Sequence, residues 1–132
     1  MNRCATLVVT SGTATTIDAL SAQGEFLGGL ILSGLALMQS SLIDATAKLV
    51  HDAGRYAEFP VNTADAIWSG ALQATCGAIQ RQYALLNDAK AQILLSGGAA
   101  QELQELLGIP AQTVRNLVLQ GLGYIAREAS KT

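Results

Sequence analysis

"VVTSGTATTIDAL", residues 8–20, is two apolar, β-prone runs joined by a turn of Ser, Gly and Thr. The second run alternates, with Ala14, Thr16, Asp18 and Leu20 on one face of a strand and Thr15, Ile17 and Ala19 on the other. A hairpin follows from that pattern, but a hairpin does not need so many hydroxyls at its turn. Gly12 has no Cβ, so the backbone there can turn sharply and approach a ligand closely. Successive N–H groups in such a turn can form an anion-binding nest, and Thr hydroxyls can donate to phosphate oxygens. On its residues alone the segment reads two ways: a Thr-rich hairpin of good β propensity, or one wall of a phosphate site.

Working outward, strands are expected over about 5–10, 14–20 and 25–32, with "SAQGE" as the second turn and Ser33-Gly34 as the break. From 34 the period becomes helical, with Leu35, Met38, Leu42, Ala45 and Leu49 recurring at steps of three and four. Residues 51–60 read as a loop ending in Pro60. Asn62 is a good N-cap, and Trp68, Leu72, Cys76, Ile79, Tyr83 and Leu86 form one helical stripe behind it. "AQILLS", 91–96, is a short buried-type strand, followed by Gly97-Gly98 and a helix to about 107. "QTVRN" after Pro110 is a candidate edge strand, and 117–129 a final helix. A three-stranded meander followed by strand–helix alternation predicts an α/β fold: one domain over 1–132, a mixed sheet with helices on both faces.

The bulk numbers narrow the function classes. Half of the 132 residues are apolar and only 14% are charged, against roughly 25% in a typical soluble domain. Either part of the surface is covered by something else, or this is a small, Ala- and Gly-rich domain that stands alone. Net charge is −2 and no Lys/Arg run occurs, which argues against nucleic acid or a membrane surface as partner. The longest apolar stretch, 26–38, is too short to span a bilayer and is broken by glycines. No usual signal-peptide cleavage site follows the N-terminus. Cys4 and Cys76, far apart and in no C-x-x-C pattern, read as two buried reduced thiols. The expected location is the cytoplasm.

Two further constellations accompany the opening turn. "ILLSGGAA", 93–100, runs a strand into paired glycines and then a helix, whose N-terminus favours negative charge. Thr63, in "NTADAIWSG", sits in the first helical turn, where its hydroxyl can reach a substrate carboxylate or hydroxyl. It can equally serve with Asn62 only to start the helix. His51 reads as an exposed loop residue, and Asp18 as a lone carboxylate that could face the turn. Spacing supports neither a nucleophile–His arrangement nor a metal-ligand cluster.

Taken in order, "VVTSGTATTIDAL", "GEFLGGLILSGLALM", "NTADAIWSGAL" and "QILLSGGAAQEL" resemble the C-terminal half of type III pantothenate kinases. These are members of the actin/sugar-kinase/Hsp70-like superfamily. The resemblance runs from about residue 3 to 127 and implies an RNase H-like (actin-like) domain. It implies ATP, with a divalent cation, as phosphoryl donor to the hydroxyl of pantothenate, the first step toward coenzyme A. Thr13 and Gly12 match the loop that contacts ATP phosphate, Gly97 and Gly98 match the adenosine-side glycines, and Thr63 matches the threonine that contacts pantothenate. A homodimer is implied as well.

Two departures stand out. The family's Asp two residues before the glycine of G-T-A, tied to a monovalent cation (potassium or ammonium), is Thr10 here, a residue without charge, so the sequence places no metal. The usual Pro of "G-G-x-I-x-P-G" is Ser33. Family members are also about twice this length. Their N-terminal half carries a D-x-G-N phosphate loop and a G-x-D-R element whose Asp is the general base. Neither motif occurs here, so no catalytic residue is expected in this chain and the chain alone is expected to be inactive. The alternative is a non-catalytic accessory or regulatory binding module, since some relatives are described as transcriptional accessory factors.

Overall fold

The computed structural model describes residues 3–46 and 53–115. The hairpin at the centre of the sequence forms as expected. Strand β1 (Thr6–Ser11) and β2 (Ala14–Leu20) are antiparallel, and β3 (Phe26–Ser33) pairs antiparallel with β2. Between β2 and β3 the Ser21 hydroxyl accepts the N–H groups of Gln23 and Glu25, and Gly24 takes a φ of 84°. A side chain that mimics a backbone turn, next to a residue free to adopt positive φ, is what reverses the chain there.

After β3 come helices α1 (Leu35–Thr46) and α2 (Thr63–Leu86), then β4 (Gln92–Gly97), α3 (Ala100–Leu107) and the short β5 (Gln112–Thr113). Strand β4 lies parallel beside β1, so the five-stranded sheet has the order β3-β2-β1-β4-β5. Three antiparallel strands continued by two parallel ones is the RNase H-like arrangement. The Asp88 carboxylate fixes the junction, accepting the N–H of Ala5 just before β1 and that of Lys90 before β4, each at 2.9 Å. Those two bonds hold its carboxyl below the usual carboxylate range.

Strand alternation decides where the core sits. Leu7 and Val9 of β1, Ile17 and Ala19 of β2, and Ile93 and Leu95 of β4 are buried on one face. Against them pack Leu35 of α1, Leu72, Cys76 and Ile79 of α2, and Leu103 and Leu107 of α3. The expected α2 stripe is thus the core face of that helix, with Trp68, Tyr83 and Leu86 half-buried at its margins. Burial pushes the Cys76 thiol up to about 11, which leaves it un-ionised and inert. Cys4, expected to be buried, is only partly so, and both cysteines are free thiols. All the described helices cover this one face. The helix expected over 117–129, like His51, lies outside the described residues.

The other face carries Val8, Thr10, Thr16, Asp18 and Ser96. Large apolar groups stay exposed on β3, where Phe26 is 65% and Ile31 82% accessible, and at Phe59 and Val61. No described helix is long and apolar enough to cross a membrane.

Candidate functional site

Three chain corners meet at the end of the sheet where the parallel strands β1 and β4 finish, the usual place for a ligand in such sheets. The first is the β1–β2 turn, where the Gly12 N–H donates to the carbonyl of Ala14 at 3.1 Å. The second is the β3–α1 corner. The Gly34 N–H donates to the Thr13 carbonyl at 2.9 Å, and a Cβ at Gly34 would overlap the carbonyl oxygens of Gly12 and Thr13. The third is the β4–α3 corner. There Gly97 has a φ of 100°, and a Cβ on it would overlap the backbone of Ser11. Glycine is required at both 34 and 97 because backbone, not a movable side chain, occupies the space a Cβ would fill.

The helix starts add to this. The carbonyl of Gly34 accepts the N–H of Met38, and that of Ala99 accepts the N–H of Leu103, so these two residues are the N-caps of α1 and α3. Gly34 has no side chain to offer, and Ala99 makes no side-chain cap. The first-turn N–H groups of both helices therefore lack a capping acceptor, and their local potential is positive. Residues of both helix starts border a cavity of about 340 Å³ with Ser11, Gly12, Gln39, Trp68 and Gly98. A second cavity of about 490 Å³ opens beyond Gly98, lined by Ser96, Gly97, Gln101, Thr113 and Arg115 among others.

Helix α2 begins differently. The Asn62 side chain accepts the N–H of Asp65 at 2.9 Å and donates to the Asp65 carboxylate at 2.8 Å. Asp65 in turn accepts the Arg55 N–H at 2.7 Å; this bond first, and that from Asn62 second, hold its carboxyl below its ordinary value. One turn on, the buried Ser69 hydroxyl accepts the Ala57 N–H at 3.0 Å, and Gln73 donates to the Glu58 carbonyl at 3.1 Å. Asp65, Ser69 and Gln73, four residues apart on one helix face, thus strap segment 55–58 along α2.

Most of the residues expected from the sequence come together. Gly12, Gly97 and Gly98 border the two adjoining cavities, and Thr13 stands exposed at the apex of the turn beside them. Thr63 does not join them. It lines a third, mainly carbon-walled cavity of about 590 Å³ between α1 and α2, with Met38, Leu42, Ala66 and Ile67. Asp18 does not face the turn; it sits on the open face opposite Val8 and Gly29, its carboxylate over Gly29. Thr10 lies on that face between Thr16 and Ser96. Sequence reasoning missed Gln39 and Trp68. Both look like ordinary helix residues in one dimension, and only the packing of α1 against α2 brings them to the glycine corners.

Glycine corners and bare helix starts of an α/β domain thus converge on one cleft, with unpaired backbone N–H groups at its edge. The family model for type III pantothenate kinases matches residues 1–85, and the chain belongs to that family. It is 50% identical to the type III pantothenate kinase of Nitrosospira multiformis, in an alignment covering all of this chain and 52% of that protein. It is 53% identical to that of Aromatoleum aromaticum, with 97% and 53% covered. The chain spans about half the length of the curated relatives it matches and corresponds to their C-terminal part. Among solved structures it resembles a Campylobacter jejuni protein described as of the Baf family of transcriptional activators. The TM-score is 0.71 at 27% identity, covering 96% of this chain and 59% of that one.

Proposed function

We propose that this chain is the C-terminal lobe of a pantothenate kinase, supplying one wall of the cleft in which ATP, with a divalent cation, phosphorylates the pantothenate hydroxyl. What carries the reading is the convergence of Gly12, Gly34 and Gly97-Gly98 on one cleft in a chain of this family. In this reading the Gly12-Thr13 turn takes the phosphate oxygens and the Gly97-Gly98 corner the adenosine side. Thr63, at the rim of the α1/α2 cavity, takes pantothenate. Thr63 lines a space separate from the cavities beside the Thr13 turn, which supports the homodimer as the working form, with Thr63 serving a site completed by another copy.

The chain's own residues bind and orient; the general base belongs to the other lobe, and the single 1–132 domain is expected to act with it in the cytoplasm, without nucleic acid or membrane. The exposed apolar groups of β3 and of 59–61 suit a surface covered in that assembly. A family-type monovalent cation does not fit. Thr10 and its row neighbours Thr16 and Ser96 offer neutral hydroxyls only, so no cation-dependent step is assigned.

The test is reconstitution with the N-terminal half of a relative, followed by an assay for phosphorylated pantothenate. Thr13→Val and Thr63→Val should each lower the rate by roughly 10²-fold, the usual loss for one well-placed polar contact. Full activity in both variants would overturn the site assignment. Nucleotide binding without turnover in the complete assembly would favour the accessory-module reading, which the uncharged Thr10 supports.

A further inference from the structure

The cavity of about 340 Å³ at the glycine corners is not uniform. Ser11 and the backbone of Gly12 form its end beneath the phosphate turn, while Leu35, Ala36, Trp68 and Ala99 give the rest carbon walls. Trp68 is half-buried against the core, and its indole makes no hydrogen bond among the described residues. Gly98 borders the same cavity, presents backbone without a side chain, and has nothing within 4 Å of the place its Cβ would take. A largely carbon-walled cavity bordered by both an aromatic ring and a bare glycine offers a nucleobase a face to stack on and room to lie against backbone. A base gains affinity by stacking on an aromatic side chain whatever its hydrogen-bonding edge. The adjoining cavity, with Ser96, Gln101 and Thr113, offers polar groups and no such ring.

Resting on the nucleotide reading above, we propose that Trp68 is the base-stacking wall of the site: the purine of the bound nucleotide lies between Trp68 and Gly98, and its phosphates run toward Gly12 and Thr13. Gln39 holds the rim of this slot in place, its amide donating to the Ala53 carbonyl.

Trp68 is the only tryptophan in the chain, so its fluorescence reports the slot directly. ATP, adenosine and inorganic tripolyphosphate would be titrated separately into the chain, with calorimetry run in parallel. ATP and adenosine should quench Trp68 emission, and tripolyphosphate should bind without quenching. Trp68→Ala should weaken ATP about ten-fold while Trp68→Phe, which keeps an aromatic face, should lose much less; circular dichroism checks that both fold. ATP binding seen by calorimetry with unchanged emission, and unchanged affinity in a folded Trp68→Ala, would overturn the inference and leave the nucleotide reading standing. No ATP binding by the wild-type chain reconstituted with the N-terminal half of a relative would overturn both.

Discussion

Helix α2 begins on a capped N-terminus, and helices α1 and α3 begin on bare ones. Asn62 satisfies the first turn of α2 and fixes Asp65, which then anchors segment 55–58. Gly34 and Ala99 do nothing comparable for α1 and α3, and it is those two starts that border the cavity. A cap and a ligand compete for the same N–H groups. The difference between the helix starts therefore separates first-turn N–H groups already satisfied by a side chain from those left open to another acceptor. A second contrast runs alongside. The α2 strap is held by side chains reaching to backbone, whereas the cleft is made by backbone approaching backbone through glycine. The first is weakened by removing atoms, the second by adding them.

Adding an atom at the cleft should have the largest effect. In Gly34→Ala the new methyl meets the carbonyl oxygens of Gly12 and Thr13, and no rotamer can relieve it. A loss of roughly 3 kcal/mol is expected, the upper end for overpacking, read as a lower midpoint in urea. The matched control is Gly77→Ala, in the interior of α2 with nothing within 4 Å of the added methyl. It should gain roughly 0.5–1 kcal/mol from helix propensity alone. Equal effects at the two positions would refute the claim that the cleft is built on backbone contact.

Removing the cap should cost less. Asn62→Ala deletes the bond to the Asp65 N–H and the one to its carboxylate, for a loss of roughly 1 kcal/mol. The pH dependence follows from the same group. Asp65 is held below its ordinary value in the folded chain, so its share of stability is present above the unfolded carboxylate range and is lost as pH falls through the folded value. Because the Arg55 N–H is the larger cause and Asn62 the smaller, Asn62→Ala should flatten the acid side of a stability–pH profile without abolishing its slope. A profile identical to wild type would mean that the cap and the carboxylate are not coupled.

These features were unevenly legible in the sequence. Asn62 with Asp65 three residues on is a local signature, and the alternation of Thr15, Ile17 and Ala19 sets the buried face of β2 without help from elsewhere. The glycine corners were visible as breaks, because a turn residue announces itself within a few positions. Trp68 was read only as one member of a core stripe, which it partly is. Its place beside the glycine corners depends on where α1 crosses α2, a long-range fact with no local trace. The ladder of Asp65, Ser69 and Gln73 escaped for the same reason: its partners are backbone atoms of a loop, and backbone leaves no residue type to read. Asp18 misled in the opposite direction. It lies in the same strand as the turn, but the period of two puts it over Gly29, on the open face.

The smallest effect, and the one that tests the contrast most sharply, concerns two buried threonines. Thr15 and Thr75 are both fully buried. The Thr75 hydroxyl donates to the Ala71 carbonyl one turn back, at 2.9 Å. The Thr15 hydroxyl, on β2 opposite Ser11 just beneath the β1–β2 turn, is the one buried side-chain polar atom among the described residues without a partner. Valine has the same shape as threonine without the hydroxyl, so the two substitutions should diverge in sign. Thr75→Val should lose roughly 0.5–1 kcal/mol with its hydrogen bond, whereas Thr15→Val should gain a similar amount by removing a desolvated, unpaired group. Both are read from denaturation midpoints in the same buffer. If Thr15→Val instead destabilises the chain, its hydroxyl has a partner in solution, and a buried water of the kind that satisfies such groups would extend the polar end of the cleft beneath the turn. If it stabilises, an unpaired hydroxyl persists under the β1–β2 turn while the capped helix has none, and the cleft is the part of this fold that stability alone did not shape.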